Sequence, residues 1–407
     1  MPENAKKPQI RFKGFTDDWE QRKLGEIVER VIRKNTNNIS SLPLTISAQY
    51  GLVDQITYFN NRVASRDITN YYLIFNGEFA YNKSTSDGFP FGAVKRLDLY
   101  DKGVLSTLYI VFSLKDNNII NSDFLTTFFD TNRWHKGIAE RAAEGARNHG
   151  LLNITADDFF DIGIEIPTNV AEQNLIGKLL IKLDNLITLH QRKLEKLKNI
   201  KKSMLEKMFP KNGSNIPEIR FKGFTDAWEQ RKLGDCFAER NESMPEGELI
   251  SVTINEGIKK FSELGRHNNS NKDKTKYKKV CISDIAYNSM RMWQGASGYS
   301  PYEGIVSPAY TVLVPNAGID SKCLSYQIKL PYMIHIFQIN SQGITSDNWN
   351  LKYPVLSQIE IFISKNIEEQ RKISNLFDNL DNLITLHQRK LEKLQNIKKA
   401  CLEKMFV

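Results

Sequence analysis

The chain has 407 residues, 41% hydrophobic and 25% charged, with a net charge of +9. That length leaves room for two or three domains with true cores. No apolar run reaches bilayer length and the start, MPENAKKPQ, lacks the apolar stretch of a secretory signal, so a cytoplasmic address with no membrane partner is expected.

Residues 8–25, PQIRFKGFTDDWEQRKLG, return as residues 217–234, PEIRFKGFTDAWEQRKLG, with two differences, Gln9/Glu218 and Asp18/Ala227. Each copy of this leader is followed by a block that mixes β-branched and aromatic runs with helical segments, which predicts an α/β or α+β fold. In the first block strands are expected at 42–47, 80–82, 108–114 and 162–166, and a helix over 124–143. In the second they are expected at 250–254, 280–283, 310–315 and 359–363, with a helix over 324–337 that Pro331 interrupts. Weak matches tie the blocks together: TISAQYG (45–51) with SVTINEG (251–257), AYN (80–82) with AYN (286–288), LYIVF (108–112) with AYTVL (309–313), and IEIP (164–167) with IEIF (359–362).

Each block runs into a long helix. Residues 183–209, LDNLITLHQRKLEKLKNIKKSMLEKMF, recur as 380–406 with three changes, at 198/395, 203/400 and 204/401. Leu183, Ile187, His190, Leu194 and Leu197 lie on a heptad seam, as do Leu380, Ile384, His387, Leu391 and Leu394. Lys201 and Lys398 continue it, and a polar residue there sets register at a cost in stability. Each helix is expected to span about 55 Å at 1.5 Å per residue. The resulting division is 1–167, a helix over 168–210, 211–366, and a second helix over 367–407.

The organisation is a duplication of constant leader, variable block and constant helix, not a solenoid. Because domain termini usually lie close together, the second helix starts near the end of the first and the two run antiparallel. The first leader then lies beside the end of the second helix, and Trp19 and Trp228 pack against helix ends. Domains separated by such helices would match sites one to two DNA turns apart, a turn being about 34–36 Å.

Catalytic motifs do not surface. There is no GxxxxGK[ST], no GxGxxG after a strand, no [DNS]PP[YFW] tetrapeptide and no PD…(D/E)xK cluster. The cysteines (Cys236, Cys281, Cys323, Cys401) form no CxxC pair and the six histidines no HxxxH, so neither a disulfide framework nor a metal site is expected. The basic balance favours a polyanionic partner. A non-enzymatic binding or targeting subunit is the leading class.

The paired LDNLITLHQRKLEKL helices, the RFKGFTDxWEQRKLG leaders and the two variable blocks closely resemble the DNA-specificity subunit of type I restriction–modification systems. Stretches within the blocks strengthen the likeness: LTISAQYGLVDQ (44–55), FAYNKSTSDGFPFGAVKR (79–96), GARNHGLLNITADDFFDIGIEIP (145–167) and YNSMRMWQGASGY…GIVSPAYTVL (287–313) look like target-recognition sequence. The resemblance implies a reader of bipartite double-stranded DNA sites, with helices that fix the unread spacer and dock two methyltransferase subunits. It leaves room for translocating restriction subunits. S-adenosylmethionine, ATP and Mg²⁺ would belong to those partners, with no cofactor and no catalytic residue in this chain. The alternative is a nucleic-acid-binding scaffold of another kind.

Base reading needs polar side chains on loops that enter the major groove. In the first block the candidates are Gln49 and Tyr50 after a strand, then Lys83, Ser84, Thr85 and Asp87 in a Ser/Gly-rich loop, then Arg147, Asn148 and His149 between glycines. In the second they are Asn255 and Glu256, then Arg291, Trp293, Gln294 and Ser297, then Ser341 and Gln342. Arg291 suits guanine and Gln294 adenine, and Trp293 is a stacking or core aromatic. Lys272, Lys274 and Lys276 sit in the basic segment 266–279 and are expected to track phosphates.

Overall fold

The computed structural model describes residues 7–407 except 48–49, 117–118, 143–149, 212, 255–256, 266, 269 and 346–347. The chain forms two compact units, Met1–Gln191 with Arg389–Val407, and Arg192–Gln388. The division falls inside both long helices, Val170–Lys207 and Ile367–Lys404, so each unit holds one mixed domain, the first part of its own helix and the last part of the other.

In the first unit a four-stranded antiparallel sheet has the order Val28–Arg30, Ile110–Leu114, Phe79–Asn82, Ala93–Arg96. Side chains alternate across it, as strand geometry requires. Phe79, Tyr81, Ile110 and Phe112 enter a large aromatic core with Phe124, Phe128, Trp134 and Phe159, while Ala80 and Val111 enter a smaller aliphatic one with Leu44, Leu52 and Leu105. Burial on both faces explains why these strands read as continuous apolar runs. Two hairpin-like pairs, Leu44–Ser47 with Gly51–Asp54 and Tyr72–Phe75 with Lys102–Leu105, complete the domain.

The second unit repeats the plan: Phe237–Glu239, Tyr310–Pro315, Ile285–Asn288, Ser297–Tyr299. Ile285, Tyr287 and Leu313 face one core, Ala286 and Val312 the other.

The leader does two jobs in each unit. Its EQRK segment is a strand, Glu20–Lys23 against Gly163–Ile166 and Glu229–Lys232 against Glu360–Ile363. These registers place Ile164 opposite Arg22 and Ile361 opposite Arg231, so the true repeat sets Ile164 against Ile361, two residues on from the match made by letters with Ile359. The leader also ties two helix ends together. Arg11 makes a bidentate pair with Glu172 at 2.6 and 2.8 Å near the start of the first long helix, and the Ile10 amide donates to the Lys404 carbonyl at the end of the second. Arg220 and Glu369, and Ile219 and Lys207, repeat this in the second unit. The start of one long helix therefore lies beside the end of the other in each unit, which is the antiparallel arrangement. Trp19, 2% exposed, meets Phe406 edge-on at 6.2 Å, and Trp228, 3% exposed, meets Phe209 at 6.0 Å.

Two sequence expectations are corrected and a third is borne out. The helix expected over 124–143 is two, Ser122–Phe128 and His135–Ala142. Thr131 Oγ1 donates to the Phe128 carbonyl and Trp134 Nε1 to that of Phe129, so side chains satisfy the acceptors that a continuous helix would use. The break expected at Pro331 is present: one helix ends at Gln327 and the next, Pro331–Asn340, opens on the proline, whose missing N–H costs nothing at a first turn. The strand expected at 280–283 is Lys278–Val280, and Ser283 turns the chain with φ 76°.

Of these seam residues Leu183 and Leu380 are buried, whereas Ile187, His190, Leu194, Leu197, Ile384, His387, Leu391 and Leu394 are half-buried. The two seam lysines have specific partners. Lys398 holds both carboxylate oxygens of Asp184 at 2.7 and 2.8 Å, and Lys201 holds Asp381.

Candidate nucleic-acid interface

The AYN repeat builds the same corner in both domains. Asn82 Oδ1 accepts from the Ser84 amide and Asn288 Oδ1 from the Met290 amide, both at 3.0 Å, so a short amide side chain starts each loop. Each loop is then sewn to a second one by an equivalent bond, Leu152 N–H to the Lys83 carbonyl at 3.0 Å and Leu351 N–H to the Ser289 carbonyl at 2.9 Å. In the second block this joins the second and third candidate loops, and in the first it joins the 83–87 loop to residues 150–154.

In the first unit the seam is extensive. The Thr85 amide and Oγ1 both donate to the Gly150 carbonyl, Ser84 bridges Leu151, and Lys83 Nζ reaches the Ile154 carbonyl. These contacts fix the loop and occupy part of the hydrogen-bonding capacity of Lys83 and Thr85. Asp87 stays exposed at the tip of a tight turn closed by Ser86 and Phe89, where Gly88 takes φ 78°. Tyr50 is 62% exposed. Gln49, Arg147, Asn148 and His149 lie outside the described residues, as do Asn255 and Glu256.

In the second unit Arg291 is exposed beside a short 3-10 turn, Met292–Gln294, closed by Gly295 at φ 81°. Trp293 is half-buried, donates Nε1 to the Met290 carbonyl and meets Trp349 edge-on at 5.2 Å, which braces this loop against the 341–350 hairpin. Gln294 is half-buried beside it. Gln342 is exposed and exchanges two backbone bonds with Asn350, while Ser341 Oγ is taken by the Phe337 carbonyl. Ser297 has no exposed surface; it lies in strand Ser297–Tyr299, where no base edge can reach it.

The basic segment is partly engaged. Lys272 and Lys276 are exposed, whereas Lys274 donates to Ser270 Oγ at 3.1 Å and lies over the Tyr277 ring. At the segment's end Lys278 pairs with Glu239 and Lys279 with Glu242.

Exposed apolar side chains near these loops were missed by a search for polar readers: Phe89 at 37%, Met290 at 44% and Ile344 at 98% exposure, the last beyond Gly343 in the hairpin. The signal was available, since each interrupts a Gly/Ser/Asn-rich stretch. Among the described residues no group of three His, Cys, Asp or Glu side chains could hold a metal, and no helix is long and apolar enough to cross a membrane.

Each domain grips the long helices at equivalent points of one helix, Ser122–Phe128 or Ser321–Gln327. Equivalence follows from the caps: the Asn121 amide donates to Gln173 and the Asp320 amide to Gln370, both at 2.8 Å. In the first unit Asp130 accepts from Lys398 at 3.2 Å and from Lys95 at 2.7 Å, and Arg133 donates to the Glu403 and Phe406 carbonyls. Burial alone would raise the Asp130 carboxyl, but Lys95 and Lys398 outweigh it and hold the group below its ordinary value. Burial likewise opposes the Lys398 charge, and Asp130 and Asp184 raise its pKa regardless. In the second unit the corresponding positions, 199 further on, are Lys329 and Tyr332, and Tyr326 stands for Thr127. Tyr326 Oη donates to Asp381 at 2.9 Å. Lys329 is pushed down to about 8 by burial and by the charge of Lys201, with Asp381 opposing, and its Nζ donates to the Ile254 carbonyl.

A family model described as type I restriction modification DNA specificity domain matches the chain twice, over residues 16–199 and 225–396. The fold is shared with the S subunit of a type I restriction–modification system from M. genitalium, at 15% identity, with a TM-score of 0.56 and with 98% of this chain and 99% of that one covered. A looser match is the HsdS subunit from Thermoanaerobacter tengcongensis, at 16% identity and a TM-score of 0.40 over 95% and 96%.

Proposed function

The chain belongs to the type I restriction–modification DNA specificity family, and from that premise we propose that each of its domains reads one half of a bipartite duplex site. The observation that carries this reading is sameness of frame with difference of content. Both domains keep the sheet, the Asn-started loop and the leucine bond that joins two loops, yet the loops present Lys83, Thr85 and Asp87 in one and Met290, Arg291 and Trp293 in the other. Two frames that hold unlike donors and acceptors suit two unlike base sequences.

The near-identical outer faces of the long helices would offer the same docking surface twice, one for each of two methyltransferase subunits, with restriction subunits joining that assembly. S-adenosylmethionine, ATP and Mg²⁺ then act on those partners, and this chain supplies recognition without catalysis. Sequencing of methylated bases in cells that express the chain with its methyltransferase tests the reading. The expected result is one motif of two specified halves around an unspecified gap; an ungapped motif overturns it.

A further inference from the structure

Asp184 and Lys201 on the first long helix recur as Asp381 and Lys398 on the second, with the same separation of 17 residues. In the first unit Asp184 meets Lys398 and in the second Lys201 meets Asp381. The pattern selects one arrangement. In a parallel, in-register pair Asp would face Asp and Lys would face Lys. A slip of one heptad within the first unit would leave Lys398 opposite Gly177 or Gln191, neither an anion. A leucine seam is adhesive but tolerant of slippage, whereas charged seam positions penalise it.

The same charges also hold the recognition domains. Lys398 carries Asp130, which is held in turn by Lys95 of strand Ala93–Arg96. That strand pairs with Phe79–Asn82, whose last residue starts the 83–92 loop. In the second unit Asp381 takes the Tyr326 hydroxyl, and the helix after Tyr326, Pro331–Asn340, leads into the 341–350 hairpin. Lys95, Asp130 and Lys398 are 18%, 19% and 20% exposed, so solvent screens them less than a surface pair.

We propose that the junctions Asp184–Lys398–Asp130 and Lys201–Asp381–Tyr326 are the positioning residues that set which spacer length between half-sites the chain accepts. The junctions fix the register in which the two helices pair within each unit. This rests on the bipartite reading above.

The test uses the full chain in complex with its methyltransferase, on targets with the native spacer and with one base pair removed or added. Wild type is expected to methylate the native spacer fastest. Lys398→Ala, and independently Tyr326→Phe, should raise the rate on the altered spacers relative to native by about tenfold, the scale of one charged hydrogen bond. The bases recognised in each half should not change, and Lys398→Arg should keep the wild-type preference. A loss shared equally by all three spacers, or an unchanged ratio, overturns the proposal. Asp130→Asn, which preserves packing volume, keeps the test open if Lys398→Ala does not fold. An ungapped wild-type motif would instead remove the bipartite reading before any variant is compared.

Discussion

The two junctions occupy equivalent places and use opposite chemistry. In the first unit the domain offers an anion, Asp130, to the seam lysine, and Arg133 caps the carbonyls at the end of the second helix. In the second, Lys329 stands where Asp130 would be, and a tyrosine hydroxyl takes up Asp381 instead. Tyr332, in the place of Arg133, joins an apolar cluster with Phe209 and Phe377. Constant helices thus present one Lys–Asp feature, and each variable domain meets it with whatever its own sequence provides: a charge network in one case, aromatic packing plus one hydroxyl in the other.

The comparison is most sharply bounded by what the units share. Glu172→Ala and Glu369→Ala each remove a buried carboxylate, 1% and 0% exposed, and leave a half-buried arginine unpaired. Each should destabilise its unit by about 3–5 kcal/mol. Hydrogen exchange should show similar losses in the two units; unequal losses would mean that the leaders are not equivalent clamps.

Asp130→Ala should cost the first unit about 1–3 kcal/mol, because Lys95 is left half-buried without its anion. Tyr326→Phe should cost the second unit about 1 kcal/mol. Protection of amides in 124–138 and 323–337 separates the two effects, and a change in both units from either variant would count against independent junctions.

A further effect is one of pH. Lys329 titrates near 8 in the folded unit against 10.5 when free, so the unfolded chain binds more protons between those values and stability rises with pH across that window. Lys398 behaves oppositely: its raised pKa gives stability that is fully present below the ordinary lysine value and lost as pH rises through the folded one. Denaturant midpoints of the second unit should climb from pH 8 to 10 in wild type and stay flatter in Lys329→Met.

The duplication, the mixed fold, the strand at Tyr310–Pro315 and the buried tryptophans were legible because each leaves a local or repeated mark. The leader strands were not, since EQRK is charged and alternates between exposed and half-buried at a two-stranded edge. Periodicity placed Lys201 and Lys398 on the seam but carried no sign of their partners, which lie 180 and 214 residues away. Among the candidate base readers, Ser297 is inside the sheet and Ser341 is consumed locally, because a hydroxyl reads alike in a loop and in a strand.

The leader clamp has a consequence for inheritance. Arg11 grips the helix that follows its own domain while the Ile10 amide grips the end of the other, and Arg220 and Ile219 do the same with nearly the same residues. Either leader therefore fits either helix end. A gene segment that brings in a new variable block between two such repeats meets joints whose amino-acid sequences already match. An incoming block must supply its own answer to a waiting lysine and aspartate, and Asp130 and Tyr326 are two independent answers.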